Sequence, residues 1–328
     1  MKSLLQKLTE TFAPSGYEAA IREVIRAEIE PLADEIRVDA LGNLIARKGK
    51  GGKRIMVAAH MDEIGLIASH IDENGFVRFT TIGGVYPQML MGARVRFYSG
   101  VPGIVYTEPL DKPTDTPAIE KMFIDVGATS RADCPVKVGE VAAFERPFLD
   151  LGDRLVAKSM DDRIGCLVAI EALRALKDTP NEVYFVFTTQ EEVGTRGAET
   201  SAFGIDPDLG FSLDVTSWGD TPGRKHFEMA LGKGPAIKIK DGGMLSDPRI
   251  IRWMVNTAEA QGIPYQREVL LGGTTDARAM QLVRAGVPVG CISIPCRYVH
   301  SPSEMVDYND VQNAVKLTTA LLANPVEW

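Results

Sequence analysis

The sequence predicts an α/β fold interrupted by a small all-β unit. Three changes of texture along the 328 residues carry that expectation. Residues 1–66 hold two amphipathic helical patterns and then apolar, strand-like runs. Residues 67–153 hold no convincing helix, only short alternating runs between glycines and prolines, which mark a small β-barrel or sandwich. Residues 154–328 alternate strands with helices, which implies a parallel sheet covered on both faces. The simplest organisation is one α/β domain made of 1–66 and 154–328, with 67–153 inserted into it.

Each element has its own signal. Leu4, Leu5, Leu8 and Phe12 recur at helical spacing, and a second helical pattern runs from Tyr17 to Ile29. "NLIARK" and "RIMVAA" follow as strands. "GFVRFTTIGG", "ARVRFYSG", "VPGIVYTE", "KMFIDVGA" and "GEVAAFERPF" supply the β unit. Beyond it, "RIGCLVAIEALRAL" is helical, and "EVYFVFTT" and "LGFSLDV" are continuous apolar strands. "PRIIRWMVNTAEAQG" and "TDARAMQLVRAG" are helical, "VPVGCISIP" is a strand, and "NDVQNAVKLTTALLAN" is a closing helix.

Composition narrows the class. Apolar residues make up 45% and charged residues 24%, ordinary for a globular protein. A net charge of −8 argues against nucleic-acid and anionic-membrane partners, which need concentrated Lys and Arg. No apolar run approaches the ~18 residues of a membrane helix, and no secretory leader is evident, so a cytoplasmic location is expected. Cys134, Cys166, Cys291 and Cys296 form no CxxC pair and are expected to be buried thiols.

The polar residues that follow the strands point to chemistry. Open α/β sheets place their sites beyond the carboxyl ends of the strands. "RIMVAA" ends in His60 and then Asp62. "RLVAKSM" is followed by Asp161 and Asp162, "VYFVFTTQ" by Glu191 and Glu192. "GFSL" ends on Asp214, and "VGCISIPCRYV" leads to His300. Taken singly, Asp161–Asp162 would serve as a helix cap and Glu191–Glu192 as solvated charge. Five strand ends, each closing on His, Asp or Glu, make that coincidence hard to sustain. Two imidazoles with several carboxylates and no thiolate suit zinc, cobalt or manganese, and carboxylates can bridge a metal pair. His70 and His226 lie off this pattern and are expected at the surface or in loops.

"AAHMDEIG", "AKSMDDRIGC", "TTQEEVGTRGA", "LDVT" with "GDTPG", "LGKGPAI", "GGTTDA" and "RYVHSPSE" together resemble the tetrahedral (TET) aminopeptidase family of dinuclear metallopeptidases. That family includes glutamyl and deblocking aminopeptidases and members long described as endoglucanases. The resemblance spans nearly the whole chain. It implies a zinc-exopeptidase-like mixed sheet flanked by helices, with a β-barrel dimerisation insert. It implies two divalent ions per chain, zinc or cobalt first, with manganese also compatible. His60, Asp161 and Asp214 would hold one ion, and Asp161, Glu192 and His300 the other, with Asp161 bridging. Glu191 would be the general base, and Asp62 would orient His60. A cis peptide bond is expected at Asp161–Asp162, and dimers assembling into a dodecamer are expected. Thr274 and Arg278 depart from the usual "GGGTDA" stretch and bear on substrate detail. Lys238, Lys240 and Arg278 are expected to face solvent.

The activity these features favour is removal of N-terminal residues from peptides by a metal-activated water, with Glu191 taking its proton. A metal-dependent amidase or deacylase is the alternative on the same metal pair. An endoglucanase would need two metal-free carboxylates and leaves His60 and His300 unexplained.

Overall fold

The computed structural model describes residues 1–112, 114–224 and 227–326. Along the chain, α1 (Lys2–Glu10) and α2 (Ala19–Ile29) lead into β1 (Glu35–Val38), β2 (Leu44–Lys48) and β3 (Arg54–His60). Then come β4 (Gly65–Ile71), β5 (Val77–Ile82), β6 (Arg94–Phe97), β7 (Pro102–Thr107), β8 (Met122–Asp125) and β9 (Val141–Phe144). β10 (Leu149–Asp150) and β11 (Arg154–Ala157) precede α3 (Met160–Ala175), β12 (Glu182–Thr188), α4 (Arg196–Ile205) and β13 (Leu209–Thr216). The chain closes with β14 (Ala236–Lys240), α5 (Pro248–Ala260), β15 (Gln266–Val269), α6 (Asp276–Gln281), β16 (Val289–Arg297), β17 (Glu304–Asp307) and α7 (Tyr308–Leu322).

The large sheet runs in the order β1-β2-β12-β3-β13-β16-β17-β11-β10, with β14 on β16 and β15 on β14. It is mixed, as the resemblance implies, and the strand–helix alternation accounts for its parallel part. β12, β3, β13 and β16 are parallel neighbours. β17 returns antiparallel to β16 through a short loop, and β11 reverses again against β17. A short loop can join only antiparallel neighbours, and four-residue β17 is too brief to register as a strand in the sequence. After both reversals β11 points the same way as β3, β12, β13 and β16.

Why the central strands read as continuous apolar runs is plain from their packing. Along β3, Ile55, Val57 and Ala59 join one core, while Met56 and Ala58 join the core on the opposite face. A strand turns successive side chains to opposite faces, so burial on both sides requires apolar residues throughout. Leu5, Ile21, Ile25, Leu167 and Leu317 come from helices covering the first face. Ala202, Ile205, Ala277 and Met280 cover the second. α4, whose sequence "RGAETSAFGI" is too poor in large apolar residues to show a helical stripe, is revealed only here. α6 is shorter than its apolar pattern suggests, ending at Gln281.

The second unit is the small β-barrel, closed in the order β4-β5-β8-β7-β6-β9. Its interior is apolar, with Leu66, Val77, Phe79, Val95, Val105 and Ile124 turned inward. On β7, buried and exposed residues alternate strictly, as one-sided burial demands.

All four cysteines are free, three of them buried and Cys134 partly so. His70 is exposed, whereas His226 lies outside the described residues. Among the described residues, no helix is long and apolar enough to cross a membrane.

Candidate metal centre

The shared direction of β3, β11, β12, β13 and β16 brings their polar followers to one edge of the sheet. His60 is the last residue of β3, Asp214 lies near the end of β13, and Asp161 opens α3 just after β11. Glu191 and Glu192 follow β12, and His300 stands in the loop from β16 to β17. One ligand atom each from His60, Asp161 and Asp214 falls within 4.8 Å of the others, and the same holds for Asp161, Glu192 and His300. Asp161 stands between the groups: its Oδ1 is 3.0 Å from His60 Nε2, and its Oδ2 is 3.2 Å from His300 Nε2. His300 Nε2 also lies 3.3 Å from Glu192 Oε2. Glu191 belongs to neither group, although its Oε2 comes to 3.9 Å from His60 Nε2.

Two adjacent glutamates can face one site only where an extended chain turns. Gln190 supplies the turn with a left-handed φ of 56°. Asp62 holds it: its carboxylate accepts the backbone N–H of Glu191 at 3.0 Å and of Glu192 at 3.2 Å, and the Ser15 hydroxyl at 2.6 Å. His60 Nδ1 faces the Asp62 main-chain carbonyl at 3.1 Å and its carboxylate at 3.6 Å. The sequence spacing therefore found a residue that touches the histidine and also ties down the glutamate loop.

Three further carboxyl groups, none of them assigned a ligand or base role from the sequence, work on the backbone in the same way. Asp162 accepts the His60 N–H at 3.2 Å, Glu18 accepts the Gln190 N–H at 3.1 Å, and Glu304 accepts the N–H groups of Asp161 and His300. The Asp161–Asp162 peptide is cis, as the resemblance implies. Asp162 stood among the strand-end residues without an assigned role, Glu304 lies four residues after His300, a spacing that could have drawn notice, and Glu18 carries no such signal.

The barrel closes over one side. A Cβ at Gly84 would lie 2.7 Å from His300 Nδ1, so only glycine lets the chain pass there. Gly84, Tyr86 and Met89 join Trp218, Arg278 and Lys238 in lining a cavity of about 710 Å³ that holds Asp161, Glu191, Glu192, Asp214 and His300. Lys240 and Arg278 are exposed as expected, and Thr274 also lines the cavity. Lys238 overturns its expectation. It is buried, because β14 packs between β15 and β16, and Glu268 Oε1 at 2.9 Å compensates its charge.

The electrostatics favour a cationic occupant. Burial, with nearby carboxylates, holds Glu191 and Asp214 well above the ordinary carboxylate range and pushes Glu192 up to about 7. Burial also pushes Asp161 up, but the imidazoles of His300 and His60 outweigh it and hold this carboxyl low. Burial lowers His300, yet Glu192 and Asp161 win and raise it to about 11; His60 is raised for like reasons. Glu192 Oε1 is buried with no hydrogen-bond partner among the described residues. Four buried carboxylates facing two imidazoles leave negative charge uncompensated, and an orphaned carboxylate oxygen is costly. Divalent cations fit both the deficit and the mixed nitrogen–oxygen donors.

Comparison with known proteins agrees with this fold. The family model described as M42 glutamyl aminopeptidase matches residues 42–317. A protein of Acetivibrio thermocellus that carries a provisional aminopeptidase name is 47% identical over 319 residues, covering 97% of each chain. Among solved structures, the aminopeptidase APDkam598 of Desulfurococcus kamchatkensis superposes with a TM-score of 0.95 at 42% identity, covering 99% of this chain and 95% of that one. The TET1 peptidase of Pyrococcus horikoshii, which can assemble into a tetrahedron or a large octahedral shell, gives 0.89 at 35% identity over 98% of both chains. The class is that of metal-dependent aminopeptidases. Within it, this chain belongs to the M42 peptidase family.

Proposed function

We propose that the chain removes N-terminal residues from peptides with two divalent ions, Glu191 serving as general base. One observation carries most of the weight: two ligand groups share Asp161, and a fourth carboxylate at their border, Glu191, belongs to neither. His60, Asp161 and Asp214 would hold one ion, and Asp161, Glu192 and His300 the other. Such ions supply Lewis-acid polarisation of the scissile carbonyl and make a water acidic enough to attack near neutral pH. Glu191 takes the proton of the attacking water and passes it to the leaving amine. Burial suits it to that work, since it raises the carboxyl above the ordinary range and makes it a stronger proton acceptor. Asp62 fixes the turn that separates the base from the ligand. Zinc and cobalt fit the donor set first, with manganese also compatible.

Two broader features belong to the proposal. Residues of about 67–153 form the dimer contact, and dimers build a closed dodecamer whose cavity admits unfolded peptides; the Pyrococcus horikoshii TET1 peptidase can assemble into a tetrahedron or a large octahedral shell. The protein works in the cytoplasm, where its free, buried thiols stay reduced.

A panel of aminoacyl anilides and N-acylated amino acids, run separately with Zn²⁺, Co²⁺ and Mn²⁺, tests the activity. Cleavage of the anilides with an absolute metal requirement is expected. Cleavage of the acylated compounds alone would replace it with a deacylase. Light scattering on metal-loaded protein tests the assembly: a dodecamer is expected, and a monomer would remove it.

A further inference from the structure

We infer that Glu304 is a positioning residue that controls the metal position formed by Asp161, Glu192 and His300 more than the one formed by His60, Asp161 and Asp214. The inference rests on the two-ion site proposed above. Glu304 opens β17 and is buried. Its Oε2 accepts the Asp161 N–H at 2.9 Å, and its Oε1 accepts the His300 N–H at 2.7 Å. Both oxygens are thus engaged by main chain from two separate segments, and Glu304 is in neither ligand group.

The His300 contact matters most. His300 has a φ of 63°, the left-handed region that non-glycine residues occupy only under constraint. Tyr298, two residues earlier, has a φ of 62°. The loop therefore lacks regular pairing where it presents its imidazole, and the Glu304 carboxyl on the next strand pins it. Asp161 takes part in both positions, His300 in only one. Loosening at residue 304 reaches two of three ligands in one position and one of three in the other. The third ligand, Glu192, is held separately by Asp62.

Calorimetric titration of metal-free protein with Zn²⁺ tests this, using the parent, Glu304→Gln, His300→Ala and the double variant. Glu304→Gln keeps the size but turns an amide NH₂ toward one of the two N–H groups. The binding step missing from His300→Ala marks the Asp161–Glu192–His300 position. Glu304→Gln should weaken that step about 10- to 100-fold, the usual cost of losing a partner behind a ligand, and weaken the other step less. Adding Glu304→Gln to His300→Ala should change the remaining step little, because both act on one position. General damage to the fold would not show that pattern. Equal weakening of both steps, or no weakening of either, overturns the inference while two-ion binding stands. A parent that binds one ion overturns the two-ion proposal and the inference with it. Should Glu304→Gln not fold, Glu304→Asp takes the same test with the same expected selectivity, since it is too short to span both N–H groups.

Discussion

His60 and His300 both turn Nε2 toward Asp161, yet the chain delivers them differently. His60 ends a strand with parallel neighbours on both sides, and its side chain is 2% exposed. His300 sits in a loop with a left-handed backbone, and its side chain is 23% exposed. Their partners follow suit: Asp214 lies inside β13, whereas Glu192 follows a left-handed turn at Gln190. One of the two proposed metal positions is built by the sheet, and the other by loops that carboxyl groups and a glycine hold in place. The sheet-borne position inherits the rigidity of the core. The loop-borne position depends on individual bonds, so single substitutions should reach it selectively.

Asp161 is the one ligand common to both, and its loss should erase the difference. Asp161→Ala should weaken both ions beyond the ~10–100-fold typical of an outer partner, with activity falling to background. Metal analysis after dialysis checks it; retention of either ion at parental affinity would deny the bridging role. Gly84→Ala should sharpen the contrast. The new methyl meets the His300 ring, so the loop-borne ion should bind about tenfold more weakly, while the sheet-borne ion stays. Equal effects on the two would show that the barrel supports the centre as a whole.

Acidity gives a milder test. Glu192, held at about 7 in the metal-free protein, is increasingly protonated as pH falls below that value, and His300 carries a proton up to about 11. Cations must displace those protons to bind. Apparent affinity of the loop-borne position should therefore fall as pH drops from 7.5 to 5.5, by about tenfold per unit for each proton released. Calorimetry in buffers of different ionisation enthalpy should show net proton release. Proton uptake would contradict the charge balance.

What the sequence reveals follows the same division. His60, Asp161, Glu191, Glu192, Asp214 and His300, which the fold gathers at one sheet edge, were legible as candidates because each follows an apolar, strand-like run with a polar group that burial alone does not explain; their division into ligands and base came from the resemblance. The barrel was legible from its alternation and its dense turns. The braces were not. Glu304, Asp162 and Glu18 each hold a backbone N–H more than a hundred residues away, a pairing that no local spacing announces. Gly84 reads as one more turn glycine until the His300 ring is seen against it. Lys238 looked solvent-facing because its compensating Glu268 lies thirty residues on, across β14 and β15. β17 was invisible because four residues are too few to show a period.

The division of labour between Glu191 and Glu192 is the claim on which the rest depends, and paired isosteric substitutions test it most directly. Metal content and kcat are to be measured for Glu191→Gln and Glu192→Gln. Glu191→Gln should retain about two ions and lose about 10²–10⁴ in kcat, the usual range for losing a general base. Glu192→Gln should lose the loop-borne ion and recover in part with excess Zn²⁺ or Co²⁺. If Glu191→Gln sheds metal while Glu192→Gln keeps it, the roles are reversed. If Glu191→Gln turns over at nearly the parental rate, Glu191 is not the base.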